Sequence, residues 1–220
     1  MIVKIMGEEF EVADQPADYW GWVSEGRYDH EWKVYAEHLK PEHTFVDLGA
    51  WVGAHSLYAS RITQHVVAVE PDPVALDILH DNLKDVPAIV FQVAVSGYDG
   101  GTVTLGSGVL GASTTRKNYR TNDGWAEIST FDAPRVTLRT LAGQFEDPLF
   151  IKMDVEGSEE DILADFDFFK ERKPALLIEL HPFWWNNESE VNAKLVKLKG
   201  VYPTCKVIRE GGSGPLLFLP

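Results

Sequence analysis

Cysteine is almost missing from the chain. Cys205 stands alone, which excludes an internal disulfide and a cysteine-built metal cage. Long apolar runs are missing as well: stretches such as Val66-Val67-Ala68-Val69 and Ala175-Leu176-Leu177-Ile178 fall far short of the roughly 18 residues that a membrane-spanning helix needs. Lys4, Glu8 and Glu9 interrupt the apolar residues at the start, so the uninterrupted core of a signal peptide is lacking. Basic residues are scarce, with 20 Lys and Arg against 34 Asp and Glu and a net charge of −14. Such a balance repels a phosphate backbone. The densest basic group, Arg116-Lys117 with Arg120, is short and reads as a solvated loop. These absences predict a soluble, cytoplasmic protein with neither nucleic acid nor membrane as partner.

What is present is ordinary globular material, 45% hydrophobic and 25% charged over 220 residues, enough for one domain with additions. Ile2, Val3 and Ile5, then Gly7, then Phe10 and Val12 alternate as a hairpin does. Trp32, Tyr35, Ala36 and Leu39 share one helical face that Pro41 closes. Residues 1–43 therefore read as a hairpin and helix packed on a core that occupies 44–220. From Thr44 the pattern changes to short apolar strands alternating with amphipathic helices, the pattern of a doubly wound α/β sheet covered on both faces. Expected strands fall at 45–47, 66–69, 88–95, 149–154, 175–181, 205–208 and 216–219. Asp72 and Pro73 open a helix expected to turn Val74, Ile78, Leu79 and Leu83 inward. A second helix starts at Ser158, with Ile162, Leu163, Phe166 and Phe169 inward. Residues 97–130, rich in Gly, Ser and Thr, interrupt the alternation and read as an insertion or lid.

The chemistry concentrates at the strand ends. Phe45-Val46-Asp47-Leu48-Gly49-Ala50-Trp51-Val52-Gly53 runs from the first strand of the alternating part into a glycine turn, where doubly wound sheets place their ligands. Its G-x-x-x-G spacing differs from the G-x-G-x-x-G that wraps a dinucleotide pyrophosphate. Glu70 follows Gly53 by 17 residues at the end of the next strand, where a carboxylate accepts both hydroxyls of a ribose. Together these features indicate an adenosine-containing ligand. Lys152 and Asp154 share a strand face with Glu156 at its end, and Lys152 needs an acidic partner inside an apolar sheet. Glu179 and His181 share a face of the following strand, and His181 is a candidate proton acceptor.

The segments FVDLGAWVGAHS (45–56), VVAVEPDPVALDILHDNL (66–83), IKMDVEGSEEDIL (151–163) and LLIELHP (176–182) resemble the FkbM-type methyltransferases, which are class I S-adenosylmethionine-dependent enzymes. The similarity runs from about Thr44 to Pro220 and is most specific in IKMDVEGSE. It implies a Rossmann-like, seven-stranded, mostly parallel sheet with an antiparallel last strand and S-adenosylmethionine at the first two strand ends. Asp47, Gly49 and Gly53 would line the methionine part and Glu70 the ribose, with Ala50, Trp51, Pro71 and Asp154 completing the cofactor set. The implied reaction is methyl transfer to a hydroxyl oxygen of a small molecule or sugar. His181 is the first candidate base and Asp154 the second. Asp154, Glu179 and His181 could gather a divalent cation, but no metal is assigned. Trp20, Trp22, Trp32, Trp125, Trp184 and Trp185 suggest an apolar or sugar-stacking pocket. Two departures stand out: Trp51 replaces the usual Asn, and Arg139 replaces a common acidic residue. A nucleoside-binding module without catalysis and an NAD-dependent oxidoreductase are the alternative readings.

Overall fold

The computed structural model describes residues 1–107, 113–114, 118–121, 124–127, 129–181, 188–210 and 214–220. The chain opens with strands β1 (Ile2–Ile5) and β2 (Glu8–Glu11), paired antiparallel about Met6 and Gly7, both at positive φ. Helices α1 (Ala17–Ser24) and α2 (Asp29–His38) come next; the first has no counterpart in the sequence pattern. Val3, Ile5, Phe10, Trp20, Trp32 and Tyr35 are buried in one apolar cluster with Phe45 and Phe150 of the main sheet. The N-terminal segment thus shares its core with the main sheet.

Strand β3 (Thr44–Leu48), helix α3 (Ala54–Ala59), strand β4 (Val66–Val69), helix α4 (Pro73–Asn82) and strand β5 (Ala88–Phe91) form two successive crossover units between parallel strands. Asp72 caps α4 as expected, its carboxylate accepting from the amides of Val74 and Ala75. The inward face differs from the expectation: Val74 is 53% exposed, while Ala75 and Leu76 join Leu79 and Leu83 inside. The strand expected over 88–95 is broken, because its second part, β6 (Ala94–Ser96), leaves the main sheet to pair with β11.

Much of the expected lid is regular structure. Strands β7 (Thr102–Ser107), β8 (Ser113–Thr114), β9 (Asn118–Thr121), β10 (Gly124–Glu127) and β11 (Ser129–Thr137) come after β6. Four of these six strands make a separate sheet in the order β6-β11-β7-β8, and β9 pairs with β10. Leu105, Ala133 and Ala94 form its small core. Arg116 and Lys117 lie outside the described residues.

The alternation then resumes with helix α5 (Leu138–Ala142), strand β12 (Leu149–Met153), helices α6 (Glu159–Ile162) and α7 (Phe166–Arg172), and strand β13 (Ala175–Glu179). The single helix expected from Ser158 is two, because Asp165 caps a new one through the Phe168 amide. Phe168 and Phe169 are buried by it, and Phe166 only partly. Helix α8 (Glu188–Val201) and strands β14 (Lys206–Arg209) and β15 (Leu216–Leu219) complete the chain. Part of the glycine turn expected between those strands, 211–213, lies outside the described residues.

The main sheet has seven strands in the order β14-β15-β13-β12-β3-β4-β5. β5, β4, β3, β12 and β13 run parallel, and β15 is antiparallel to both β13 and β14. Period-two alternation divides the core: Phe45, Phe150 and Leu177 face α2 and α3, and Val46, Ile151 and Ile178 face α5 to α8. Among the described residues no helix is long and apolar enough to cross a membrane. The strand order reverses between β3 and β12, which opens a crevice beyond their carboxyl ends.

Candidate active site

The crevice holds a cavity of about 460 Å³, within the range of small-molecule sites. One side is the turn after β3. Gly49, at φ +74°, occupies a left-handed position, and a Cβ there would collide with the carbonyl oxygen of Asp154. The amides of Gly49 and Ala50 both donate to the Val69 carbonyl at 3.0 Å, locking the turn to β4. Trp51 has positive φ without being glycine. Its amide donates to Glu70 Oε2 at 2.8 Å, and the Asp72 amide donates to Glu70 Oε1 at 2.9 Å. Glu70 is therefore held by two backbone donors, and burial pushes its pKa up to about 8.

Beneath the turn lies a buried charge group. Lys152 Nζ donates to the Gly49 carbonyl at 2.9 Å and sits 3.4 Å from Asp47 and 3.6 Å from Asp154. Burial acts against the ammonium, but Asp47 and Asp154 outweigh it and hold Lys152 protonated. Asp47 also accepts from Ser56 Oγ at 2.8 Å and is wholly buried. The acidic partner expected for Lys152 is thus present twice.

The opposite side centres on His181, which is 1% exposed. Its Nδ1 lies 2.8 Å from Glu159, and its Nε2 faces Asp154 at 3.6 Å, Glu156 at 3.7 Å and Glu179 at 3.9 Å. Burial lowers the pKa of this imidazole, but the Glu159 hydrogen bond and the carboxylates of Asp154, Glu156 and Glu159 together push it up to about 10. Glu159 also accepts from the amides of Val155 and Gly157 and so braces the turn in which Glu156 stands at φ +49°. Glu179 is paired with Arg209 at 2.7 Å.

The cover comes from two places. Tyr19, Trp22, Tyr28 and Glu31 reach the cavity from the N-terminal helices, and Ala94, Val95 and Leu105 reach it from the second sheet. The Trp51 ring leans edge-on against Tyr19, with centroids 4.6 Å apart, and the cavity remains open beside it. Glu31 lies 3.6 Å from His55, whose Nδ1 pairs with the Tyr35 hydroxyl at 2.8 Å. Burial, then the charges of Glu179 and Asp154, push Glu31 up to about 8.

Of the residues singled out from sequence, Gly49, Ala50, Trp51, Glu70, Pro71, Asp154 and His181 line the cavity. Asp47 and Gly53 are not part of its lining. Asp47 acts from behind through Lys152, and a Cβ on Gly53 would lie 2.7 Å from Leu79 on α4. Trp20 and Trp32 are core residues with 0% exposure, and Trp22 lines the cavity with the Arg27 guanidinium over its ring. Trp184, Trp185 and the side chain of Trp125 lie outside the described residues. Arg139 has a structural role, paired with Asp165 at 2.8 Å and Glu171 at 2.7 Å. Sequence reasoning missed Glu159 and Glu31. Their signals were a carboxylate two residues after Gly157, and a Glu four residues before Tyr35 on the same helical face.

The family pattern described as the methyltransferase FkbM domain matches residues 47–201. The structure resembles that of methyltransferase FkbM from Methylobacillus flagellatus at 17% identity and a TM-score of 0.53. That alignment covers 91% of this chain and 52% of the other, so the chain spans about half the length of that relative. It also resembles a putative methyltransferase from Streptococcus mutans solved in complex with SAH, at 11% identity, a TM-score of 0.50, and coverage of 87% and 94%. No curated protein matches the chain by sequence.

Proposed function

The chain belongs to the FkbM methyltransferase domain family, and from that premise we propose that it transfers a methyl group from S-adenosylmethionine to a hydroxyl oxygen of a small molecule or sugar. The observation that carries the reading is the arrangement of Glu70 and the 49–51 turn along one side of a cavity whose other side presents Asp154. When bound, S-adenosylmethionine supplies a methyl group on a sulfonium, activated toward displacement by an oxygen nucleophile. When ionised, each Glu70 oxygen keeps acceptor capacity beyond its one backbone amide, and two ribose hydroxyls donating to it would favour that form. The turn holds its backbone against Val69 and Asp154 without a side chain at Gly49, which leaves the crevice open between the strand ends.

Asp154 is our first candidate for taking the hydroxyl proton. Its side chain is about one-third exposed to the cavity, whereas His181 is almost wholly buried with Nδ1 committed to Glu159. On this geometry we place Asp154 ahead of His181, which the sequence put first, and infer that His181 orients the carboxylates around it. Lys152 fixes Asp154 from below. Tyr19, Trp22 and Tyr28 provide faces on which a sugar ring can stack, and the carboxylates can accept its hydroxyls. The acidic floor disfavours acceptors bearing phosphate or carboxylate.

Calorimetric titration with S-adenosylmethionine, S-adenosylhomocysteine and NAD in parallel tests the cofactor. Binding of the first two and not of NAD supports the proposal. Binding of NAD alone turns it toward hydride transfer, and binding of none removes it.

A further inference from the structure

We propose that Asp154, Glu156 and His181 form a divalent-cation site of the manganese or magnesium type on the cavity floor, where the cation would hold the acceptor's hydroxyl oxygen. The role given to the cation rests on the methyl-transfer reading; the site itself does not. The three residues each offer one ligand atom, and these atoms lie within 4.8 Å of one another. A cation about 2.0–2.2 Å from each donor spans ligand pairs up to roughly 4.4 Å apart, so small side-chain rotations bring the set together. The approaches to His181 Nε2, 3.6 Å from Asp154 and 3.7 Å from Glu156, already fall inside that span.

Two further features point to a ligand here rather than to an ion-pair network alone. Among the described residues, Asp154 Oδ1 is a buried oxygen without a hydrogen-bond partner, and it faces the imidazole. The imidazole is held by its other nitrogen: Nδ1 sits 2.8 Å from Glu159, a carboxylate with 0% exposure. A carboxylate on one ring nitrogen that directs the other toward the ligand set is the arrangement found behind metal-bound histidines. The cation would take the place at Nε2 that a proton holds among Asp154, Glu156 and Glu179.

Two carboxylate oxygens and one imidazole nitrogen suit a cation of hard to borderline character. Asp154 and Glu156 are 32% and 30% exposed, so the remaining coordination positions would open into the cavity. A hydroxyl bound there would lose its proton more readily, which is what an alcohol acceptor needs. Asp154 would then serve as ligand through Oδ1, while its second oxygen, 3.6 Å from Lys152, would take the hydroxyl proton.

The test is a Mn²⁺ titration of the purified chain followed by electron paramagnetic resonance, with S-adenosylhomocysteine affinity measured separately on the same samples. One Mn²⁺ per chain is expected. Glu156→Gln and Asp154→Asn should each weaken it at least about tenfold, and Glu159→Gln by about 10–100-fold through the imidazole. The partly exposed Glu156 makes its variant the one least exposed to folding failure, and unchanged thermal unfolding checks that. No stoichiometric Mn²⁺ binding, or binding that survives both Glu156→Gln and Asp154→Asn, overturns the site. S-adenosylhomocysteine binding without Mn²⁺ binding overturns the site and leaves the methyl-transfer reading standing. Mn²⁺ binding without S-adenosylhomocysteine binding does the reverse.

Discussion

Glu70 and Glu31 carry the most information per residue, because each is a carboxyl group buried beside the cavity. Glu70→Ala removes the acceptor for two backbone amides as well as the proposed ribose contact. S-adenosylhomocysteine affinity should fall at least about tenfold, and calorimetry of the folded variant that finds it unchanged would break the assignment. Glu31 yields a pH prediction. Its folded-state pKa of about 8 lies above the ordinary 4.5, so the folded chain holds this proton more tightly than the unfolded one does. The associated stability is full below about pH 4.5 and is lost as pH rises through 8. Glu31→Gln should remove that loss, so the variant should gain on the parent chain as pH goes from 5 to 9. Parallel melting curves across that range would show that Glu31 is not the group responsible. Sequence pattern alone located Glu70, since it ends an apolar strand after a glycine turn. It could not locate Glu31 or Glu159, because a carboxylate on a helix declares its burial only when the opposing surface is known.

Among elements, helix α4 and the second sheet meet at Asp72. One oxygen caps the helix, and the other accepts from Ser107 Oγ at 2.6 Å. Asp72→Ala should cost about 1 kcal/mol for the cap alone, lowering the melting temperature by about 2–4 °C. A loss confined to that range would mean the Ser107 link adds nothing; a larger loss would assign it a share. The parallel strands β3, β4, β12 and β13 were legible because each is a short apolar run between turn residues. The second sheet was not: Gly100, Gly101 and Gly106 and the many Ser and Thr gave 97–130 the look of a loop, and its strands bury little. Ala94 illustrates the reason, since its place beside Arg135 depends on a partner strand far along the chain. Arg139 was legible as an anomaly and not as an answer. Its bonds to Asp165 and Glu171 tie α5 to α7 across the surface, and Arg139→Ala should cost about 1 kcal/mol or less by thermal unfolding.

At the scale of the molecule, the net charge of −14 sets a background against which the cavity works. Mutual repulsion among carboxylates weakens as salt screens it. The melting temperature should therefore rise between low ionic strength and about 0.5 M salt, by scanning calorimetry at pH 8; a flat response would place the balance of charges in local pairs. The overall α/β class and five of the strands could be read from alternation, and the seven-stranded sheet came with the family resemblance. The way the N-terminal segment joins the core could not, because helix α1, which buries Trp20 and Val23 and packs on β1, shares an apolar cluster with Phe45 and Phe150 of strands later in the chain.

The cavity draws its two kinds of wall from separate stretches: Tyr19, Trp22, Tyr28 and Glu31 from the first helices, and Glu70, Asp154 and His181 from the ends of parallel strands. Inheritance can then act on them separately. On the proposed methyl-transfer reading, a chimaera that exchanges residues 15–31 between relatives should keep its S-adenosylhomocysteine affinity while adopting the donor parent's choice of acceptor.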